Sequence, residues 1–525
     1  MGKPRLPNQK KAYKELSKRL AGYMMRVRNI YDRLNEKVAM LVESVGYDGL
    51  TEFSFDNYPE IEREVKLLLS QFVGELQTLI YSGTSSEWKS SNTFQDAVAD
   101  KALKYYRAQV HGDRFKHYYR DNGDQLKAFL QRKENGLDLS SKLWNQSGNY
   151  KESLEVTIST AIEKGMSATA LSKKLSRYLN DWPSLQADYQ EKYGKATYIH
   201  DCEYRSLRLA RNEISMAYRS AEQVRWQQFD FILGYKIKLS DSHPRYDICD
   251  DLAGDYPKDF KFRGWHPNCL CYTVPIVMSE DEYWSDNREN SPNKITAPPK
   301  NFGEWVDKAE NLERIGKANG KGTLPYWLRD NAKIKDCSVL MSKARTYGDA
   351  IQKQAETIAR KYNGTVTPIN YKSFSSMYRK LNSEKDMLVS DIKDSVRNTI
   401  VVEKENIDSV VKELQSLPTF DRYKSQTPEK FCGYSGNIIN LKMPNGIQAE
   451  IQVNTPKMIY AKETEANARK ILGDKVWEQI AKETGMQGGL GHKYYEEIRI
   501  LDEVKDRAKI VELTKLSKSY YAHFR

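Results

Sequence analysis

The chain has 525 residues, of which 39% are hydrophobic and 29% charged, and its formal net charge is +12. This length exceeds what one compact core usually accommodates, and the composition excludes disordered and fibrous proteins. No apolar run is long enough to span a bilayer, and the basic first residues lack the apolar core of a signal peptide, so we expect folding in a cytoplasm. The positive charge favours an anionic partner such as DNA.

The first half of the chain has helical periodicity. Apolar residues recur at steps of three and four from Tyr13 to Leu41, which predicts a long amphipathic helix. We therefore expect a helical N-terminal region over 1–140 and a second region over 141–278. The other helices predicted on the same basis are 59–80, about 97–130, a hairpin over 154–179, and 205–229, after which 235–240 alternates like a strand.

Polar residues interrupt this pattern after residue 278. Acidic, Asn, Ser and Pro residues dominate 279–302, which predicts a surface linker. A second patch at 316–323 contains Gly and Lys without the spacing of a phosphate-binding loop. We treat 279–338 as a linker region.

The last part of the chain alternates helices and strands. The pattern predicts an α/β domain over 339–525 with a mixed sheet, so the fold class is multidomain, with a mainly α-helical N-terminal half that includes a small Cys/His knuckle. The predicted helices are 343–362, 373–381 and 406–417, and the predicted strands are 364–369, 397–403, 437–443 and 447–453.

Cysteine and histidine cluster in "HPRYDICDDLAGDYPKDFKFRGWHPNCLC". Cys269 and Cys271 are two residues apart, so on an extended chain both thiols point the same way, and His266 precedes them by a turn. Cys249 would complete a four-ligand N/S site of the type that Zn²⁺ prefers. The spacing differs from that of a common zinc ribbon. A structural metal, a metal-free packed knuckle and a redox pair all stay open.

The same segment resembles a known family. Ala210, Arg211 and Glu213 on a helix, then Cys249-Asp250 and "HPNCLC" before Pro275, are similar to the phage head-morphogenesis family of Mu F-like minor head proteins, although Leu270 replaces the usual arginine. The resemblance covers roughly 1–330. It implies a virion component that binds portal and capsid proteins and works in head assembly and in DNA packaging or ejection, assembled in the host cytoplasm, without an active site in this part.

Charged side chains of the C-terminal domain have a spacing suited to phosphate chemistry. Glu450 lies on the polar face of a predicted strand. Without further signals, this face would be interpreted as an ordinary solvent-exposed face of a sheet. Lys372 and Lys380 share a helix face, and Asp394 adds a second carboxylate. Two carboxylates can hold Mg²⁺ while cations neutralise a triphosphate. Tyr434 offers a ring on which a base can stack.

These segments, "YKSFSSMYRK", "DSVRNTIVV", "GYSGNI", "AEIQVNT" and "GHKYYEEIR", resemble in order those of RelA/SpoT-like nucleotidyltransferase domains. Two departures are the short spacing from Asp394 to Arg397 and Ile438-Ile439 in place of the usual histidine. The resemblance implies catalytic roles for Glu450, Asp394 and Arg397, with Mg²⁺ on the two carboxylates and Glu450 activating the acceptor hydroxyl. It implies that ATP phosphates bind Lys372, Arg379, Lys380 and Arg397, that Tyr434 stacks on the acceptor base, and that Gln452, His492 and Tyr495 complete the nucleotide site.

The resemblance also implies a reaction, the transfer of pyrophosphate from ATP to a ribose 3′ hydroxyl of GTP, GDP or tRNA. Our main prediction is a phage minor head protein fused to such a domain. The alternative is primarily a pyrophosphokinase toxin or alarmone synthetase with a helical carrier region. A third interpretation is a nucleic-acid-binding protein whose sheet domain is catalytically silent.

Overall fold

A computed structural model describes the chain except residues 1, 48, 109–112, 163–165, 198–200, 244, 385, 430–431, 500 and 502–505. The protein is multidomain and mostly helical, as predicted. Unit 1 comprises Met1–Asn301 and Pro325–Asn331, and unit 2 comprises Phe302–Leu324 and Ala332–Arg525. The finer division at 140, 278 and 338 stays a prediction. Within the described part of the chain, no helix has the length and apolar character needed to cross a membrane.

Unit 1 begins with a helical bundle whose core is formed mainly by α1, α2, α4 and α5. The predicted first helix is confirmed, and the Asn8 side chain caps it by accepting a hydrogen bond from the Lys11 N–H at 3.0 Å. The bundle helices are α1 (Gln9–Ser44), α2 (Pro59–Tyr105), α3 (Gly123–Gln131), α4 (Leu139–Ala161), α5 (Ala168–Asn180), α6 (Trp182–Tyr193) and α7 (Cys202–Gln228).

The prediction of separate helices at 59–80 and 97–130 is wrong, because α2 continues without a break to Tyr105 and α3 starts only at Gly123. The middle of α2 buries polar side chains, which hides the apolar period. The Arg19 guanidinium donates to both carboxylate oxygens of the buried Glu87, and the Trp226 indole N–H donates to Gln95 at 2.9 Å. A buried polar face satisfied by partners on α1 and α7 keeps the helix intact.

A small antiparallel sheet follows α7, with strand order β2-β1-β3. The segment predicted as a surface linker folds onto unit 1 at its start. The Ile295 N–H donates to the Leu233 carbonyl at 3.1 Å, and the Tyr283 ring stacks on Tyr106 at 4.1 Å. The elements between residues 232 and 329 are β1 (Ile232–Lys238), α8 (Ile248–Leu252), β2 (Gly254–Pro257), β3 (Tyr272–Val277), α9 (Glu280–Trp284), α10 (Lys300–Asp307), α11 (Ala309–Gly320) and α12 (Tyr326–Arg329). Most of α10 and all of α11 belong to unit 2.

Unit 2 contains the predicted mixed sheet, with strand order β4-β6-β9-β8-β7 and β5 also beside β6. β6 and β9 are parallel, and the other pairs are antiparallel. The predicted hairpin on either side of the turn at residues 444–446 is confirmed as β8 and β9. The sequence did not predict β7, because its side chains are mostly exposed and do not alternate between buried and exposed. The elements are α13 (Ala332–Lys361), β4 (Thr365–Val366), β5 (Asn370–Tyr371), α14 (Phe374–Ser383), β6 (Val396–Val401), α15 (Ile407–Gln415), β7 (Phe420–Gln426), β8 (Gly436–Lys442) and β9 (Gln448–Asn454).

Helices complete unit 2 beyond the sheet. An aromatic cluster that includes Tyr460, Tyr520, Tyr521 and Phe524 forms their core. These helices are α16 (Pro456–Lys462), α17 (Glu465–Leu472), α18 (Asp474–Thr484), α19 (Leu490–Arg499) and α20 (Arg507–Ala522).

Candidate functional site

Glu450 lies at the centre of the mixed sheet. It is paired with Arg397 of the parallel neighbour β6 on one side and with Asn440 of β8 on the other. Residues directly opposite one another on paired strands face the same side, so the three side chains share one face. The other face carries Asn398, whose amide donates to Gln352 of α13 at 3.0 Å. The sheet thus presents the predicted Glu450 and Arg397 together, away from α13.

The Glu450 carboxylate is buried. It accepts a hydrogen bond from Gln452 Nε2 at 2.7 Å. Burial and the nearby negative charge of Asp394 raise the pKa of Glu450, although the Gln452 hydrogen bond and the positive charges of Arg397 and Lys462 offset part of this effect. Glu450 is therefore a stronger base than an ordinary surface glutamate.

Asp394 occupies the residue before the buried Ser395, at the entrance to β6. Lys372 Nζ lies 2.5 Å from Asp394 Oδ2, and Lys380 Nζ lies 3.9 Å from Oδ1. Burial alone would favour the neutral acid, but the Lys372 hydrogen bond and the charges of Lys372, Lys380 and Arg397 outweigh it and lower the pKa of Asp394. At neutral pH the carboxylate is ionised within a cluster of cations.

Local structure explains why these groups meet. Lys372 follows β5, and its N–H donates to the Ser395 carbonyl at 3.0 Å. Ser395 Oγ in turn donates to the Gln448 carbonyl at 2.5 Å, at the start of β9. α14 starts at once, because Ser373 caps it by accepting from the Ser376 N–H. The helix face that carries Lys380 is thereby held next to Asp394.

Tyr434 lies at the opposite end of β9 from Asp394, in the loop before β8. Asn454 Nδ2 donates to its hydroxyl at 2.7 Å, the Tyr521 ring meets its ring edge-on at 5.6 Å, and Lys462 Nζ lies 5.5 Å from the ring centre. These contacts leave the ring half-buried at the edge of the charged face. Stacking of a base on this ring stays a prediction.

The loop that carries Tyr434 is held by α20 and the residues after it. Ser517 Oγ donates to the Cys432 carbonyl at 2.7 Å, and Arg525 donates to the Gly433 carbonyl at 2.8 Å. Gly433 has φ +93°, and a Cβ there would lie 2.6 Å from the Lys518 Cα. Only glycine tolerates this conformation and this close approach.

Three predicted residues make no contact with Glu450 or Asp394 in the described part of the structure. Arg379 is exposed on α14 and makes no hydrogen bond or ion pair within the part of the chain that the structure describes. His492 has a side chain 51% exposed on α19, where its Nε2 lies 3.8 Å from Glu496. Tyr495, on the same helix, is also exposed.

The sequence patterns missed Lys462 and Asn454. The charge of Lys462 lowers the pKa of Glu450, and its ammonium group lies over the Tyr434 ring. Asn454 donates a hydrogen bond to the Tyr434 hydroxyl. The alternation along β9 put Glu450 and Gln452 on one face, and extending it by one step to Asn454 would have found the second residue. Nothing in the local sequence around Lys462 signals its role.

The Cys/His residues of unit 1 also converge. The sulfur atoms of Cys249, Cys269 and Cys271 lie within 4.8 Å of one another, and Cys249 Sγ lies 3.1 Å from His266 Nε2. Hydrogen bonds from Cys249 and Cys271, and the charge of Arg219, lower the pKa of Cys269, whereas the pKa values of Cys249 and Cys271 are raised. The three predicted thiols are thus in one place and are suited to a metal ion, and the predicted His266 lies beside Cys249.

The chain is similar to known proteins over about one third of its length. No protein-family profile matches the chain. The chain is 36% identical over 183 residues to the (p)ppApp synthetase toxin Tas1 of Pseudomonas aeruginosa (strain UCBPP-PA14), a match that covers 34% of this chain and 41% of the toxin. The chain therefore spans about two fifths of that relative.

A solved structure, the crystal structure of the complex between the Type VI effector Tas1 and its immunity protein, is 34% identical over 36% of this chain and 97% of its own chain, with a TM-score of 0.33. Neither comparison supports the predicted phage minor head protein. About one third of this chain is homologous to a (p)ppApp synthetase toxin.

Proposed function

We propose that the protein is a toxin that transfers pyrophosphate from ATP, and that residues 339–525 carry this activity. The homology to a (p)ppApp synthetase toxin carries the proposal. The predicted α/β segment has nearly the length of the 183 matched residues and contains all five RelA/SpoT-like motifs, so we assign the match to it. Residues 1–338 are then the carrier region, which corresponds to the alternative that the sequence left open.

The name of the relative indicates which class of nucleotide accepts the pyrophosphate. A (p)ppApp product is an adenine nucleotide, so we propose an adenine nucleotide as the acceptor here, instead of GTP, GDP or tRNA. Tyr434 would stack on the acceptor base, with its hydroxyl fixed by Asn454. Because stacking alone does not distinguish one base from another, the acceptor must be identified experimentally.

The charged face suits the chemistry of this transfer. The acceptor 3′ oxygen would attack the β-phosphorus of ATP. The bond between the β-phosphorus and the oxygen that bridges it to the α-phosphorus would break, and AMP would leave with that oxygen. Glu450, which is held by Gln452 and has a raised pKa, would take the proton of the 3′ hydroxyl. Lys372, Lys380 and Arg397 would neutralise phosphate charge, and the exposed Arg379 would reach the outer phosphates.

The residues also fit Mg²⁺. Asp394 lies close enough to Glu450 for its negative charge to raise the pKa of Glu450. Asp394 Oδ1 is buried and has no hydrogen-bond partner among the described residues. Carboxylate oxygens are the ligands that Mg²⁺ takes when it is shared with substrate phosphates. When bound, the ion would neutralise charge that develops on the transferred phosphates. Lys372 would then exchange its hydrogen bond with Asp394 for one with a phosphate oxygen.

The decisive experiment uses the full-length chain with Mg²⁺ and ATP labelled at the β-phosphate. AMP, ADP and ATP, GDP and GTP, and uncharged tRNA serve as separate acceptors, and nucleotides are separated by anion-exchange chromatography. We expect labelled adenine product and an equal amount of AMP. Product formed only with guanine nucleotides or tRNA would overturn the acceptor assignment, and absence of transfer to every acceptor would overturn the proposed function.

For unit 1 we retain the minor head protein role as a second proposal, with a virion location. It rests on the order of the motifs from Ala210 to Pro275 and on the convergence of Cys249, Cys269 and Cys271. Particles induced from a host carrying this sequence would be purified by density gradient and analysed by mass spectrometry. Absence of the chain from intact heads would contradict the role.

A further inference from the structure

We propose that Cys249, His266, Cys269 and Cys271 bind one structural Zn²⁺ ion in unit 1. The inference goes beyond the proposed function, because unit 1 lies outside the segment assigned to catalysis. The four ligand atoms come from three places in the chain: the start of α8, the turn at 266–269, and the residue before β3. All three thiols are buried, and His266 is the partly exposed member.

The sulfur spacing fits a tetrahedral zinc site. Cys249 Sγ and Cys269 Sγ lie 3.7 Å apart. Zinc–thiolate bonds measure about 2.3 Å, so two thiolates on one tetrahedral ion are separated by about 3.8 Å. A disulfide would bring the sulfurs to about 2.0 Å. The cysteines are free, and the distance corresponds to two ligands that share an ion.

His266 is better prepared to be the fourth ligand than His243. Its Nδ1 faces the Pro267 carbonyl at 2.8 Å, so this nitrogen carries a proton, and its Nε2 lies 3.1 Å from Cys249 Sγ and 3.3 Å from Asp247 Oδ2. This arrangement is the one by which proteins orient a metal-binding histidine. A ring nitrogen of His243 also lies within 4.8 Å of Cys249 Sγ, but His243 Nε2 is only 2.9 Å from the Asp250 carboxylate and 3.7 Å from Asp247.

The surroundings supply the matching charge. Arg219 is buried and donates to the carbonyls of Cys269 at 2.8 Å and Cys271 at 2.9 Å. Within the described residues Arg219 forms no ion pair, and its positive charge also lowers the pKa of the buried Glu222, which burial raises to about 7. Three thiolates on Zn²⁺ carry a net charge of −1, which Arg219 balances.

The backbone is shaped for this approach. Gly264 has φ +119°, and a Cβ there would lie 2.7 Å from Arg219 Nη1 and 3.0 Å from the Cys269 Cβ. Asn268 has φ +63°, in the left-handed region, so the turn brings Cys269 back toward Cys249. In a protein with a small three-stranded sheet, a metal at this point would tie α8 to β3.

The test is metal analysis of the full-length chain, purified without a polyhistidine tag or chelator. We expect about one zinc per chain, released to a chromogenic chelator when the thiols are modified by a mercurial. Cys271→Ser should lower zinc content at least about fivefold, and His266→Asn should weaken affinity about tenfold or more. The matched controls Cys432→Ser and His243→Asn should retain the metal.

Cobalt substitution keeps the test decisive if a variant fails to fold. The metal-free wild-type chain titrated with Co²⁺ should show thiolate-to-metal charge-transfer absorption and the visible bands of tetrahedral cobalt. A wild-type chain that holds no zinc and gives no such absorption would overturn the proposal. Detection of a disulfide among the three cysteines by mass spectrometry, or loss of zinc from His243→Asn but not from His266→Asn, would also overturn it.

Discussion

Glu450→Gln is expected to remove pyrophosphate transfer without weakening the fold. Glutamine keeps the shape of the side chain and an oxygen that can accept the Gln452 Nε2 hydrogen bond, but it cannot take a proton from the acceptor hydroxyl. General-base catalysis typically contributes about 100- to 10,000-fold. We therefore expect kcat to fall at least about 100-fold, equivalent to about 3 kcal/mol in the activation barrier.

The stability of the same variant follows from the raised pKa of Glu450. A carboxyl group with a raised folded-state pKa binds its proton more tightly when folded, so its contribution to stability is present below the unfolded pKa and is lost as pH rises through the folded pKa. Each unit of upward shift corresponds to about 1.4 kcal/mol. Above that folded pKa the ionised carboxylate destabilises unit 2, and Gln relieves the penalty.

The assay combines initial rates of labelled product with thermal unfolding at pH 8. Glu356→Gln, which changes a partly exposed carboxylate on α13, is the matched control and should leave both quantities unchanged. Glu450→Gln should lose activity at an equal or higher melting temperature. Activity within about threefold of wild type would refute the role of Glu450 as base. Lost activity together with a lower melting temperature would refute the electrostatic reasoning.

Three further predictions concern stability. Asp394→Asn should destabilise unit 2 by about 2–4 kcal/mol in urea unfolding, because it leaves the half-buried Lys372 ammonium without its anionic partner. Adding Lys372→Met should recover part of this loss, and no recovery would contradict the proposed ion pair. Burial raises the pKa of Glu222 to about 7, so unit 1 should lose about 3 kcal/mol of stability as pH rises from about 4.5 through 7, and Glu222→Gln should flatten that dependence. Gly433→Ala should unfold at a lower temperature than Gly446→Ala, since both have positive φ but only Gly433 lies against α20; equal effects would show that the clash is relieved.

Most elements of the C-terminal sheet could be predicted from the sequence because their side chains alternate or repeat on one face. The β8–β9 hairpin is an example, with a turn of suitable residues between two alternating strands. β7 has mostly exposed side chains and gave no such signal. In the helical half, the apolar period ended where α2 buries Glu87 and Gln95, since a face stabilised by hydrogen bonds leaves no hydrophobic pattern.

The candidate site divides in the same way. Local patterns identified Glu450, Asp394 and Lys372 as residue types suited to phosphate chemistry, and they located Cys249, His266, Cys269 and Cys271 as candidate metal ligands. Only the tertiary structure decided that Lys372 bonds Asp394, that the charge of Lys462 acts on the pKa of Glu450, and that His266 Nε2 lies 3.1 Å from Cys249 Sγ. Residue type and periodicity are local properties that sequence carries directly. Contacts between residues distant in the chain depend on strand register and on the packing of whole elements, which no local pattern contains.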